Sequence, residues 1–156
     1  MLAFFEWCEA TAVGTFVRES LWLFPAIEAV HLLGLSLLGG SLLIVDLRLL
    51  GLGLKRQGIA ELARQMRPWL VAALVVMGMT GPLLFLSEAV KCYYNTSFWV
   101  KMTTLPVALV FTFAIRERIA RDEALDTSAR SRLVGAASIV LWLTVAAAGR
   151  WIGFSS

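Results

Sequence analysis

The sequence predicts an all-α protein: a polytopic membrane four-helix bundle preceded by an amphipathic helix on the membrane surface. Three observations carry that expectation. Hydrophobic residues make up 59% of the 156 positions and the mean hydropathy is +0.78, well above an ordinary soluble domain. The apolar residues gather into four long runs, each close to the roughly 20 residues that a helix needs to cross the hydrocarbon core. Charged residues are only 16% of the chain and concentrate between the runs. A backbone in lipid must satisfy its own hydrogen bonds, so such runs are helices. The whole chain, 1–156, reads as a single integral membrane domain.

Residues 1–19 mix Phe4, Phe5, Trp7, Phe16 and Val17 with Glu6, Glu9, Arg18 and Glu19. This pattern predicts an interfacial helix, or alternatively a terminal segment packed on the bundle. Glu6 and Glu9 stand where a secretory signal would carry Lys or Arg. The first span, about 20–46, holds an apolar run from Ser20 to Val45 interrupted only by Glu28 and His31, and Gly51, Gly53 and Gly58 follow it as breakers. Ile59 to Met66 reads as a short helix leading into Pro68, at which the second span, about 69–90, begins. The third span, about 97–116, carries Lys101 as its one charge before Arg116. Asp126 or Thr127 is expected to cap the fourth helix, whose span is about 133–154.

Orientation follows from charge. Connection 47–68 carries Arg48, Lys55, Arg56, Arg64 and Arg67, and connection 116–132 carries Arg116, Arg118, Arg121, Arg130 and Arg132. The connection between the second and third spans has only Lys91. With four spans the two basic connections share a side, and the positive-inside rule makes it cytoplasmic with both termini outside. The net charge of +3 thus encodes orientation. The basic residues are split by spans and lack interleaved aromatics, so a nucleic-acid partner is not expected. The expected partners are the lipid bilayer and a homodimer copy or a membrane partner subunit. Cys8 and Cys92 fall on the outer side, where they pair if the compartment oxidises or stand as two unrelated thiols.

Ionisable groups inside a membrane are costly and each needs a reason. Glu28 and the single histidine, His31, share one helix face, roughly 10 and 15 Å below the outer surface at about 1.5 Å per residue. Glu88, Lys101 and Arg150 come from the other spans at the outer half of the bundle. The expectation is that Glu28, His31, Lys101 and Arg150 converge on one pocket that opens outward. The plainer readings are interfacial snorkelling for the cations and a helix-to-helix hydrogen bond for His31. Ser36 and Gly40 have the small-xxx-small spacing that admits a neighbouring backbone or a flat ligand. Pro25, Pro82 and Pro106 can kink their spans. Asp46 and Arg48 read as an interfacial salt bridge or a contact with lipid headgroups.

Residues 31–51, "HLLGLSLLGGSLLIVDLRLLG", resemble the first helix of the HemJ-type protoporphyrinogen oxidase family and of CopD-like membrane domains. "QMRPWLVAALVVMGMTGPLLF" resembles their second helix, and "FWVKMTTLPVALV" the helix with the family's lysine. The chain is still more similar to small bacterial membrane families of unknown function, through "FPAIEAVHLLG", "DLRLLG" and the Gly149–Arg150 pair. The resemblance implies a bacterial inner membrane, His31 as axial ligand of a b-type haem, and a functional Lys101. On that implication Lys101 and Arg150 partner the propionates, and Glu28 with Lys101 forms the candidate catalytic pair. One histidine per chain makes a bis-histidine haem depend on a dimer or on another second ligand. Three functions remain open: a haem-binding redox protein, a small transporter for a proton, metal ion or anion, and a non-catalytic membrane subunit.

Overall fold

The computed structural model describes residues 1–53, 56–122 and 128–154. Its spans are α3 (Leu23–Leu49), α4 (Ile59–Ser87), a composite third span and α8 (Ala129–Ile152). The third span joins α6 (Thr96–Val110), a π-helical segment (Phe111–Arg116) and α7 (Glu117–Ala120). The remaining helices, α1 (Leu2–Glu9), α2 (Ala12–Glu19) and α5 (Ala89–Tyr94), lie at one end. All four spans are long and apolar enough to cross a membrane. Leu33, Val75, Val110 and Leu143 are exposed on their outer faces, an arrangement that lipid solvates and water does not.

The N-terminal segment is two short helices rather than one. Thr11 ends the first and caps the second, its hydroxyl accepting from Gly14 N at 3.2 Å. Each buries one stripe, Phe5 and Cys8 in α1, Gly14 and Val17 in α2, while Phe4, Trp7 and Phe16 stay exposed. A Cβ on Gly14 would sit 2.4 Å from Leu86 O, so α2 lies directly on the end of α4. The segment thus packs one face on the bundle and leaves Phe4, Trp7 and Phe16 exposed on the other.

Three boundaries move. α4 begins at Ile59 and runs straight through Pro68, so the short separate helix expected before Pro68 does not exist. Pro68 withholds one N–H from the Arg64 carbonyl, but both residues are exposed at the helix end, where water can serve that oxygen. Pro25 falls in the first turn of α3, where a missing N–H costs no helical bond. The expected caps Asp126 and Thr127 lie outside the described residues; Ser128 caps α8, accepting from Ser131 N at 3.1 Å. Gly51 and Gly53, at φ 78° and 110°, do break the chain after α3.

The core is layered along the bundle axis. At the end holding both termini, Phe5 and Cys8 meet Ala89, Cys92 and Phe98. Phe85 of α4 stacks on Phe98 of α6, with ring centroids 5.6 Å apart. A middle layer joins Leu38 and Leu42, Leu70 and Ala73, Ala108, Trp142 and Val145. At the far end, between the two basic connections, Leu49, Ile59, Leu62, Ile119 and Val134 close the bundle. We call these the aromatic end and the basic end.

Candidate functional site

Two polar layers interrupt this apolar stack. The first lies just beneath the aromatic cluster. His31 projects from α3 onto α4, where its Nδ1 is 2.7 Å from Thr80 Oγ1. Thr80 donates its single hydroxyl proton to Val76 O at 2.7 Å. That assignment makes Nδ1–H the donor to Thr80 and leaves the lone pair of a neutral imidazole on Nε2. Gly81 lies beside the ring: a Cβ there would make an ordinary contact, 3.6 Å from His31 Cε1. Gly34, one turn below His31, brings the helices together, its Cβ position being 3.0 Å from Val76 Cγ1.

Lys101 enters the same layer from α6, alongside Gly149 of α8, whose Cβ position is 3.6 Å from Lys101 Nζ. It is close enough to His31 to act on it electrostatically. Its ammonium makes no hydrogen bond or ion pair with any described residue. Glu28, one turn before His31 and half-buried, likewise has no such partner among the described residues. All four spans thus contribute to this layer.

Other expected members lie elsewhere. Arg150 is exposed, and its guanidinium carbon sits 4.5 Å over the Phe154 ring. Glu88 pairs with Lys91 at 3.7 Å. Ser36, Gly39 and Gly40 face outward, with nothing within 4 Å of a Cβ built on either glycine. The close approach of α3 and α4 beside His31 is therefore the work of Gly34 rather than of the Ser36–Gly40 pair. Cys8 and Cys92 are both buried in the aromatic cluster as free thiols. Burial pushes the Cys92 thiol up to about 11, with Glu88 adding to the rise.

The second polar layer is toward the basic end. Asp46 Oδ1 accepts from Arg116 Nε at 2.5 Å, and Asp46 Oδ2 accepts from Ser138 Oγ at 2.7 Å. Arg116 Nη2 donates to Leu42 O at 3.0 Å. Both charged side chains are almost wholly buried, 1% and 3% exposed. Next to them Trp142 Nε1 donates to Thr112 Oγ1 at 2.9 Å. Thr112 and Arg116 both lie on the π-helical segment, whose wider turn re-aims residues relative to an α-helix. Gly135 lets α8 approach, since a Cβ there would be 2.9 Å from Asp46 O. So Asp46 is no headgroup contact: it bridges α3, the third span and α8. Arg48 is also buried, its Nε donating to Gln57 O at 2.8 Å.

A family model described as a family of unknown function (DUF6644) matches residues 4–155. The chain belongs to that family. No curated protein and no solved structure matches it. In this DUF6644 chain, no three His, Cys, Asp or Glu side chains come together to hold a metal ion among the described residues. Any metal bound near His31 would therefore bring most of its own ligands.

Sequence reasoning found His31 and Lys101 because each is a rare group in an apolar run. It missed Thr80, which reads as an ordinary polar residue in a helix, and it counted Arg116 among the charges of a connection. One signal pointed to the Asp46–Arg116 pair: opposite charges lie at the same end of two different spans. Which spans are neighbours is not written in either run.

Proposed function

We propose that the His31–Lys101 layer is an intramembrane ligand site and that its ligand is a b-type haem. The observation that carries the reading is the His31–Thr80–Val76 relay, which anchors Nδ1 and presents Nε2 as a neutral donor. Metal-ligating imidazoles are held in this manner through their second nitrogen. The donor set would suit such a group: one imidazole nitrogen, an unpartnered ammonium for a carboxylate, and glycines on two facing helices. The likeness of residues 31–51 to the HemJ-type helix supports the same reading. Haem, when bound, supplies one-electron chemistry. The chain's own residues do the rest. Thr80 would fix the imidazole plane and Lys101 would hold a propionate, with the Glu28 carboxylate one turn away. Arg150 stays at the surface and takes no part. The layer faces the outer half of a bacterial inner membrane, with the basic end in the cytoplasm.

The test is a pyridine haemochrome assay on protein purified in mild detergent after haem feeding. A positive assay with a Soret band that His31→Ala removes and Cys92→Ser retains is the expected result. Colourless protein under those conditions rejects the haem.

One observation favours a second reading. Glu28, His31 and Lys101 lie in one layer and form no ion pair with each other. Such a set suits proton or anion transport. Proteoliposome flux that survives loss of both Glu28 and His31 eliminates it.

A further inference from the structure

At the basic end, α4 and Arg121, which follows α7, border an open recess of about 330 Å³ lined by Ala60, Ala63, Arg64, Arg67 and Arg121. Three guanidiniums from two spans share this one space, and the two alanines give it a low floor. The arginines are more than half exposed, and each lies beside a carboxylate. Glu117, whose side chain is 9% exposed, accepts from Arg121 Nη2 at 2.7 Å and lies 3.6 Å from Arg67 Nε. Glu61 pairs with Arg64. The charged side chains that line the recess itself are all arginines. Each guanidinium has five N–H donors, and these pairs use few of them. The first turn of α4, with the positive end of its dipole, opens beside the recess at Ala60.

Depth gives the second observation. Trp69, two residues from Arg67, is 55% exposed on the outer face of α4. An exposed tryptophan at the end of a span marks the level of the membrane interface. Arg67 and Arg64 lie about half a turn and about one and a half turns beyond it, so the recess is at headgroup depth, where phosphate is abundant.

We propose that this recess binds a phosphate group of net negative charge, carried by an anionic phospholipid headgroup or free in solution. Planar guanidiniums suit phosphate oxygens through paired N–H bonds. Glu117 is a positioning residue that keeps Arg67 and Arg121 together in the ligand's absence. The site is independent of the His31 layer, which lies at the other end of the bundle.

The test uses the full chain in nanodiscs and in detergent. Native mass spectrometry compares retention of phosphatidylglycerol with that of phosphatidylcholine, and thermal unfolding in detergent is followed with added phosphatidylglycerol or inorganic phosphate. The expected result is preferential retention of phosphatidylglycerol, weakened about tenfold or more when Arg67→Gln and Arg121→Gln remove charge-assisted bonds. Arg118→Gln, an exposed change outside the recess, leaves retention unchanged. Stabilisation by phosphatidylglycerol alone assigns the lipid as source, and stabilisation by inorganic phosphate assigns the free anion. Equal retention of the two lipids with no response to phosphate overturns the proposal. So does a preference that the double variant keeps, or one that Arg118→Gln lowers equally.

Discussion

The two polar layers differ in how completely they satisfy themselves. Around Asp46 both carboxylate oxygens are used, by Arg116 and Ser138, and Arg116 takes the Leu42 carbonyl as well. Around His31 one ring nitrogen is anchored and everything else is left open: Nε2, the Lys101 ammonium and the Glu28 carboxylate have no partner among the described residues. A buried polar network with every group satisfied holds helices in one arrangement, and it gains nothing from a ligand. A polar layer with open valences inside the spans is costly unless something else fills it. On the proposed function, the contrast separates the group that sets the fold from the group assigned to a ligand, and it does so without reference to sequence motifs.

The contrast breaks first at Asp46. Asp46→Ala leaves the Arg116 guanidinium buried without its counter-charge, and the expected loss is about 3–5 kcal/mol. Unfolding by detergent titration measures it. Replacing both residues with Leu should recover much of that loss, because the penalty comes from the orphaned charge. A single variant as stable as the wild type would show that the pair is not what joins the three spans.

Gly135→Ala tests the same layer through the backbone. Its methyl meets Asp46 O and Leu49 Cβ at 2.9 and 3.0 Å, neither of which can swing away. The expected cost is about 1–3 kcal/mol by the same titration. Gly81→Ala meets only His31 Cε1 at 3.6 Å and should cost far less. Equal losses at the two glycines would erase the difference between the layers.

At the His31 layer, stability and binding should come apart. Thr80→Val removes one interhelical hydrogen bond, worth about 0.6 kcal/mol in a membrane bundle. The same change frees the imidazole to rotate and should lower haem affinity by about 10- to 100-fold. An unfolding curve and a haem titration on one preparation read both numbers. If Thr80→Val destabilises the protein as much as Asp46→Ala does, His31 is a structural group.

The smallest effect is at Cys92. Its thiol titrates near 11 against an ordinary value of 9.0, so between those values the folded chain binds a proton that the unfolded chain releases. Stability from this group is therefore fully present below pH 9 and falls as pH rises towards 11. Maleimide labelling at pH 7.5 should be slow in the folded protein and should accelerate as pH rises. Rapid labelling at neutral pH would place Cys92 outside the aromatic cluster.

Much of the fold was legible because run length and charge placement are properties of single segments. Four spans, Gly51 and Gly53 as breakers, and the shared side of the two basic connections all follow from that. The passage of α4 through Pro68 was not legible, since it depends on exposure of the helix end. The site was half legible. His31 and Lys101 declare themselves by rarity, but their neighbours Thr80, Gly81 and Gly149 are common residues that matter only through proximity. Arg150 stands in the right span and at the right end, yet it stacks on Phe154. Asp46 and Arg116 are 70 residues apart, and only the packing of α3 against the third span shows that they meet.

The central claim is that the open layer, and not the satisfied one, takes the ligand. Haem titration of the apoprotein, followed at the Soret band, tests it most directly when wild type, His31→Ala and the Asp46→Leu/Arg116→Leu double variant are compared after each is shown to be folded. Saturable binding is predicted for the wild type and the double variant and its loss for His31→Ala. Binding that His31→Ala retains, or a folded wild type that shows no saturable Soret band, contradicts the account.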